Sequence, residues 1–394
     1  MTEIIDAPSK PELVRRAADL VPHLQEKAPW AEENRRLHEE SIEAMADAGI
    51  FKLRVPARYG GYEADMRTLV DVLTQVGRGD ASAAWTAAVW SICNWLVGLF
   101  PDEVQDEVFS TPDVRVCGLL SPTGMATPTD GGYVVNGKWA FNTGSLHSQW
   151  NELVAIAPMP DGQMAPIMAL VPMSDLQIID DWHTAGLRGS GSVSTVAQDL
   201  FIPAHRVQPM GGMLHEQYAS ERNRDNPVYR GPLLLTACTS TIGTALGLAE
   251  AARDVFFERL PDRKITYTSY EKQSEAPITH LEVAEAEVKA DEARFHAHRA
   301  AGELDYRNTN GDSWSLRDRA RIRLDASYTI QRAKESVDIL NNASGASSIY
   351  ESVPMQRIER DVQTLNQHAI LHPATNLELY GRILCGLEPN TLYM

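Results

Sequence analysis

The sequence predicts an α+β protein in three stretches: an N-terminal α-helical domain (1–113), a central β domain (114–215) and a C-terminal helical bundle (216–394). Three observations carry this. Apolar residues recur at three- and four-residue steps up to about residue 110. Short apolar runs separated by turn formers fill Val116 to Arg206. The helical period returns after Arg230-Gly231-Pro232 and holds almost to the end.

In the first stretch Leu13, Ala17, Leu20 and Leu24 share a helix face, and Ile42, Met45 and Ile50 continue the pattern. Asp80-Ala81-Ser82 places a capping residue before an apolar helix running through Trp95. The apolar run Ala83 to Phe100 is interrupted by Ser91, Cys93 and Asn94 and reads as a buried core helix rather than a membrane span.

In the second stretch Tyr133-Val134-Val135 follows Asp130-Gly131-Gly132, Leu153 to Ala157 precedes Pro160-Asp161-Gly162, and Ile167 to Val171 follows Met164-Ala165-Pro166. Each is a strand beside a tight turn. In the third, Leu281, Ala284, Val288 and Phe295 lie on one helix face, and so do Ile322, Ala326, Ile330, Ala333, Val337 and Leu340. Such stripes suit long helices packed nearly antiparallel, within a subunit or between subunits.

Composition excludes several functions. A formal charge of −17 argues against a nucleic-acid or anionic-membrane surface, which needs concentrated Lys and Arg. Cys93, Cys117, Cys238 and Cys385 show no CxxC or Cys/His spacing, so neither a metal site nor a disulfide framework is expected, and a cytoplasmic location fits. Met1 to Lys10 carries Glu3, Asp6 and Pro8 and lacks the apolar core of a signal peptide. There is no GxGxxG after a strand, no GxxxxGK[ST], no GxSxG and no HExxH. The glycines of Gly186-Leu187-Arg188-Gly189-Ser190-Gly191-Ser192 have the wrong spacing for a dinucleotide loop, and Gly186, Arg188 and Gly189 read as turn-shaping residues. A redox cofactor must therefore be held in another way, and nicotinamide has no docking site of the usual kind.

Several motifs agree with one family. Gly49-Ile50-Phe51 through Val55-Pro56 with Tyr59-Gly60-Gly61, the helix start Asp80-Ala81-Ser82-Ala83-Ala84-Trp85, the strand Gly131 to Trp139, and Asp181-Trp182 through Ser192 with Ile202-Pro203 together resemble the acyl-CoA dehydrogenase superfamily. The resemblance covers nearly the whole chain. It implies the acyl-CoA dehydrogenase-like fold, with a β-barrel-like middle domain and a C-terminal four-helix bundle.

Within that superfamily, Pro354-Met355-Gln356-Arg357, Arg360-Asp361 and His368, with Trp139-Ala140-Phe141-Asn142-Thr143-Gly144, resemble the two-component flavin-dependent monooxygenases. That group includes the hydroxyphenylacetate and steroid-phenol hydroxylases, dibenzothiophene monooxygenase and the amino-sugar nitrososynthases. The dehydrogenase pattern is weaker: Thr266-Tyr267 stands where Phe-Gly is usual, and Tyr350-Glu351-Ser352-Val353 retains the glutamate but not the Gly-Thr. Glu351 as a dehydrogenase base, and N- or S-oxygenation on the same fold, are the alternative readings; a helical scaffold that has lost flavin binding is a third.

The resemblance implies reduced FMN or FAD as co-substrate with O2, a C4a-hydroperoxide, a separate NAD(P)H:flavin reductase delivering flavin by diffusion, and a homotetramer built as a pair of dimers. It places Thr143 at the reactive edge of the flavin and His368 as general acid or base, a role suited to a group titrating near neutrality. Leu120, Ser121, Thr123, Trp139, Phe141 and Asn142 would flank the flavin ring, and Gly345, Ala346 and Ser347 its phosphate. Trp90, Cys93 and His372 would line the substrate pocket. Cys93 stands where phenol-hydroxylating relatives carry a histidine. Each has a structural counterpart: a strand-end threonine, a core helix histidine, a core thiol, and, for the Ser344 to Ser348 loop, an ordinary glycine helix stop.

Overall fold

The computed structural model describes residues 8–394, so the expectation for Met1 to Lys10 falls largely outside the described residues. Helices α1 (Lys10–Asp19), α2 (Val21–Asn34), α3 (Glu39–Asp47), α4 (Met66–Gly79), α5 (Ala81–Val97) and α6 (Asp102–Val108) form the first stretch. Asp65 starts α4 by accepting from the Thr68 amide at 2.6 Å, and Asp80 starts α5 by accepting from the Ser82 amide at 3.1 Å.

Strands β1 (Val116–Thr129), β2 (Gly132–Trp139), β3 (Trp150–Pro158), β4 (Met164–Pro172), β5 (Gln177–Ile179), β6 (Ser194–Pro203) and β7 (Val207–Pro209) make one seven-stranded sheet. Its order is β5-β6-β2-β1-β3-β4-β7. Central β1 pairs antiparallel with β2 and parallel with β3, and its register slips between Gly118 and Pro122.

Helix α7 (Met210–Leu214) leads to α8 (Leu233–Thr241), α9 (Gly243–Arg259), α10 (Pro277–Asn310), α11 (Leu316–Ala343), α12 (Met355–Leu365) and α13 (Pro373–Leu384). The segment Leu233–Asp262 is long and apolar enough to cross a membrane, yet 94% of its apolar window is buried inside the chain. It is a core element because α4 lies against it. A Cβ on Gly247 would sit 2.5 Å from the Thr74 carbonyl oxygen, and one on Gly243 2.6 Å from that of Val70. Glycine is what lets the two backbones touch, joining the first helical stretch to the last in a single core.

The two long-helix stripes part ways. Ile322, Ala326, Ile330, Ala333, Val337 and Leu340 of α11 are all buried within the chain. On α10, by contrast, Leu281, Val288 and Phe295 are 72%, 55% and 60% exposed. The buried face of α10 is the alanine row Ala286, Ala293, Ala297, Ala300 and Ala301, small enough for Ser336 of α11 to donate to the Ala286 carbonyl at 2.8 Å.

Candidate active site

A cavity of about 370 Å³ opens where α5, β1, β3, α8 and the segment after α12 converge. From α5 come Trp85, Val89, Ile92, Cys93 and Leu96, one stripe of a 3.6-residue helix. At 1.5 Å per residue this stripe runs for about 16 Å. Leu119, Leu120 and Ser121 of β1, Ala237 and Cys238 of α8, and Ile370 complete a largely apolar wall.

Polar groups are few and ordered. The Trp85 indole Nε1 donates to the Thr143 hydroxyl at 3.2 Å, and Thr143 is joined to Ser192 at 2.7 Å and Ser192 to Ser190 at 2.8 Å. Ser190 donates to the Leu187 carbonyl at 2.8 Å. Each hydroxyl has one proton, so the series has a direction: Ser192 gives to Ser190, Thr143 gives to Ser192, and Trp85 gives to Thr143. Thr143 is left with one lone pair free to accept.

The loop bearing Thr143 is tied to the segment Ser190 to Thr195 chiefly through Asn142. Asn142 donates through its amide to the Val193 carbonyl at 3.1 Å and through Nδ2 to Thr195 at 2.9 Å. Immediately before these ties Phe141 adopts a φ of 64°, rare for an aromatic residue, and is 72% exposed at the cavity edge. From α12 the Arg360-Asp361 motif acts on the neighbouring loop, the one that carries Ser190 and Ser192. Asp361 accepts from the Leu187 amide at 2.6 Å, and Arg360 donates to the Ala185 carbonyl at 2.5 Å. Gly186 packs directly on the Arg360 backbone.

His368 borders the cavity with its ring 5.1 Å from that of Trp85, edge to face. Helix α12 ends at Leu365, so His368 is no helix residue but an extended cap on the turn Ala369–Leu371. Its Nδ1 is enclosed without a partner, and burial pulls its pKa down to about 4. The imidazole is therefore neutral at physiological pH, with one nitrogen to donate and one to accept.

The residues expected from sequence divide. Leu120, Ser121, Phe141, Thr143, Cys93 and His368 meet at the cavity. Trp90 does not: it is fully buried, donates to Ser148 at 2.9 Å and packs edge-on against Phe51. His372 caps α13 and lies outside the lining, because the turn between the two histidines breaks the helical spacing. Trp139 donates to the Val154 carbonyl at 2.8 Å inside the sheet, and Thr123 is exposed and bonded to the Lys138 carbonyl at 2.8 Å. Glu351 is exposed and away from the cavity.

Gly345, Ala346 and Ser347 form a separate cluster after α11. Arg259 and Arg263 donate to the Ser347 hydroxyl at 3.0 and 3.2 Å, and Arg263 also reaches the Ser344 carbonyl. Arg259 keeps one enclosed guanidinium nitrogen without a partner. Two cations on one hydroxyl, with a donor to spare, fit a phosphate. The sequence motifs include this loop but not Arg259, and Arg263 stands three residues before the Thr266-Tyr267 pair that replaces Phe-Gly.

It also missed Glu152. This residue of β3 borders the cavity at 1% exposure, and the Cys93 thiol borders the same cavity. The one available signal was a carboxylate beside Asn151 in a strand whose other residues are apolar.

The chain matches the acyl-CoA dehydrogenase N-terminal domain over residues 12–112 and the acyl-CoA dehydrogenase C-terminal domain over 240–373. It is 30% identical to the flavin-dependent monooxygenase oxygenase subunit HsaA of Rhodococcus jostii, over 95% of this chain and 98% of that protein. It is also 30% identical to the oxygenase component of the FADH2-dependent resorcinol hydroxylase of a Rhizobium species, over 98% of each. The structure of XiaF from a Streptomyces species, in complex with FADH2 and glycerol, superposes with a TM-score of 0.91 at 31% identity over 98% of each chain.

Proposed function

The chain belongs to the acyl-CoA dehydrogenase family, among the oxygenase components of two-component flavin-dependent monooxygenases, and from that premise we propose that it hydroxylates an aromatic ring with reduced FAD and O2. The observation that carries this is the grouping of Thr143, Trp85 and His368 on one apolar cavity. FAD rather than FMN is favoured by the named cofactor of the resorcinol hydroxylase and of the XiaF complex.

The residues present fit a flavin. Thr143 offers its free lone pair to a ring N–H, Ser121 and Phe141 flank the ring, and Arg259, Arg263 and Ser347 hold phosphate, in the same subunit or for a neighbour. Bound reduced flavin supplies the activation of O2 from which one oxygen atom reaches the substrate. Everything else falls to the chain. Val89, Ile92 and Leu96 keep water from the ring. His368, neutral, donates a proton toward the transferred oxygen or accepts one from a ring hydroxyl.

Reducing power comes from a separate flavin reductase, and we propose that the flavin arrives by free diffusion rather than in a dedicated complex. The exposed face of α10 (Leu281, Val288, Phe295) supports a homotetramer, which the buried α11 stripe does not. Four free thiols suit a cytoplasmic location.

The test is anaerobic titration with reduced FAD and reduced FMN, followed by mixing with air, with hydrogen peroxide measured with and without an aromatic compound. Tighter binding of reduced FAD, and peroxide suppressed by an aromatic, is expected. Failure of both reduced flavins to bind contradicts the reading.

A further inference from the structure

A glutamate in the middle of a buried strand demands a reason. Around Glu152, β3 presents Trp150, Leu153, Val154, Ala155 and Ala157, all buried. An acid placed there is costly unless something pairs with it. Nothing in the chain fully does. Among the described residues no Lys, Arg or His comes within ion-pair distance of its carboxylate, and its Oε1 is enclosed without any hydrogen-bond partner. Its polar neighbour is the Cys93 thiol, itself a weak donor.

The strand register shows that this position is built. Glu152 lies across from Gly118 in β1, where a Cβ would come within 2.7 Å of the Glu152 Cβ and also of its carbonyl oxygen. Any side chain at 118 would displace the glutamate. With glycine there, Gly118, Glu152 and Cys93 all border the cavity. The polar spot has a defined place along it. Cys93 follows Trp85 by eight residues on the same stripe of α5, about 12 Å further along the helix.

We propose that Glu152, seated over Gly118 and beside Cys93, is the substrate-anchoring residue of this cavity: it hydrogen-bonds a ring hydroxyl of a phenolic substrate and thereby sets which ring carbon faces Trp85 and His368. This rests on the aromatic-hydroxylase reading. Burial holds the carboxyl well above the usual carboxylate range and so favours the protonated form, which has one O–H to give and one oxygen to accept. A phenolic hydroxyl both gives and accepts, and matches it without bringing a charge into an apolar site. An ammonium group would instead force the acid to ionise where burial opposes it. The anchor also accounts for the thiol at position 93. Cys93 is held protonated by the same burial and is a poor base, so recognition of the hydroxyl passes to the carboxyl beside it.

The experiment uses flavin-free protein and three probes of similar size, para-nitrophenol, nitrobenzene and benzylamine, titrated calorimetrically into wild type, Glu152→Gln and Glu152→Ala in a buffer acidic enough that para-nitrophenol keeps its proton. Wild type should bind para-nitrophenol about ten-fold more tightly than nitrobenzene. Glu152→Ala should bring that ratio to about one, and the near-isosteric Glu152→Gln, which folds without a new cavity, should keep part of it. A merely structural glutamate would weaken both ligands together and leave the ratio untouched. The proposal is overturned by equal affinities in wild type, by no binding of either nitro compound, by a preference surviving in both variants, or by benzylamine binding best. Because neither flavin nor O2 is present, a flat ratio with intact reduced-flavin oxidation removes the anchor and leaves the oxygenase standing.

Discussion

Trp85 donates to Thr143 at 3.2 Å while its ring meets His368 at 5.1 Å, so one indole holds both candidate catalytic groups in place. Trp85→Phe keeps the ring contact and removes the donor. Thr143 then loses the hydrogen bond that it accepts from the indole, at a cost of about 1 kcal/mol in stability. Thermal melting should show that loss, and the ratio of hydrogen peroxide to product should rise several-fold.

His368→Ala should leave reduced-flavin affinity within a few-fold of wild type but cut product by roughly 10²-fold, the usual scale for a positioned acid or base. Oxygen consumption should continue and appear as hydrogen peroxide. Coupling retained at the wild-type level would make His368 structural.

The same histidine predicts a pH dependence of stability. Its folded pKa, about 4, lies below the ordinary 6.5 because burial disfavours the cation. The unfolded chain therefore binds the proton first, and folding loses stability as pH falls from 6.5 towards 4, then levels off. Denaturant titrations across that window should show a shallower loss in His368→Asn than in wild type, by an amount on the order of 3 kcal/mol. His147, also pulled down to about 4 by burial, contributes equally to both proteins and cancels in the comparison.

Arg263→Ala removes a guanidinium from Ser347 and the Ser344 carbonyl. Anaerobic titration should show reduced-FAD affinity falling by about ten-fold or more, since charge-assisted bonds to phosphate are among the stronger ones. Unchanged affinity would place the phosphate elsewhere.

On α10, Leu281→Glu with Phe295→Glu puts charge on an exposed apolar face without touching the chain's own core. Light scattering should show the assembly dissociating while the helical circular dichroism persists. An unaltered oligomer would move the interface to another surface.

The order helix, sheet, helix was legible because helical and strand periods differ so clearly. Faces were harder. Trp85 and Trp90 lie on one apolar helix, and five residues rotate a side chain by about 140°, so only one can face the cavity. A helix apolar all round does not say which. On α10 the larger apolar residues suggested the packed face, yet alanines pack there because they allow close helix approach. His368 and His372 stand four residues apart, a spacing that would share a helix face, but the turn at Ala369–Leu371 separates them. Glu152 was out of reach because its meaning depends on the register with Gly118, which no local pattern records.

The central claim, that this chain takes flavin already reduced by another protein, is tested most directly by mixing purified chain, oxidised FAD and NADH without any reductase and following NADH absorbance. Among the described residues the strands form one sheet, and the sequence has no GxGxxG after a strand to receive a nicotinamide. NADH oxidation should stay at the protein-free blank, and adding an unrelated flavin reductase should start oxygen transfer to the aromatic substrate. Oxidation well above the blank by the chain alone would contradict the account.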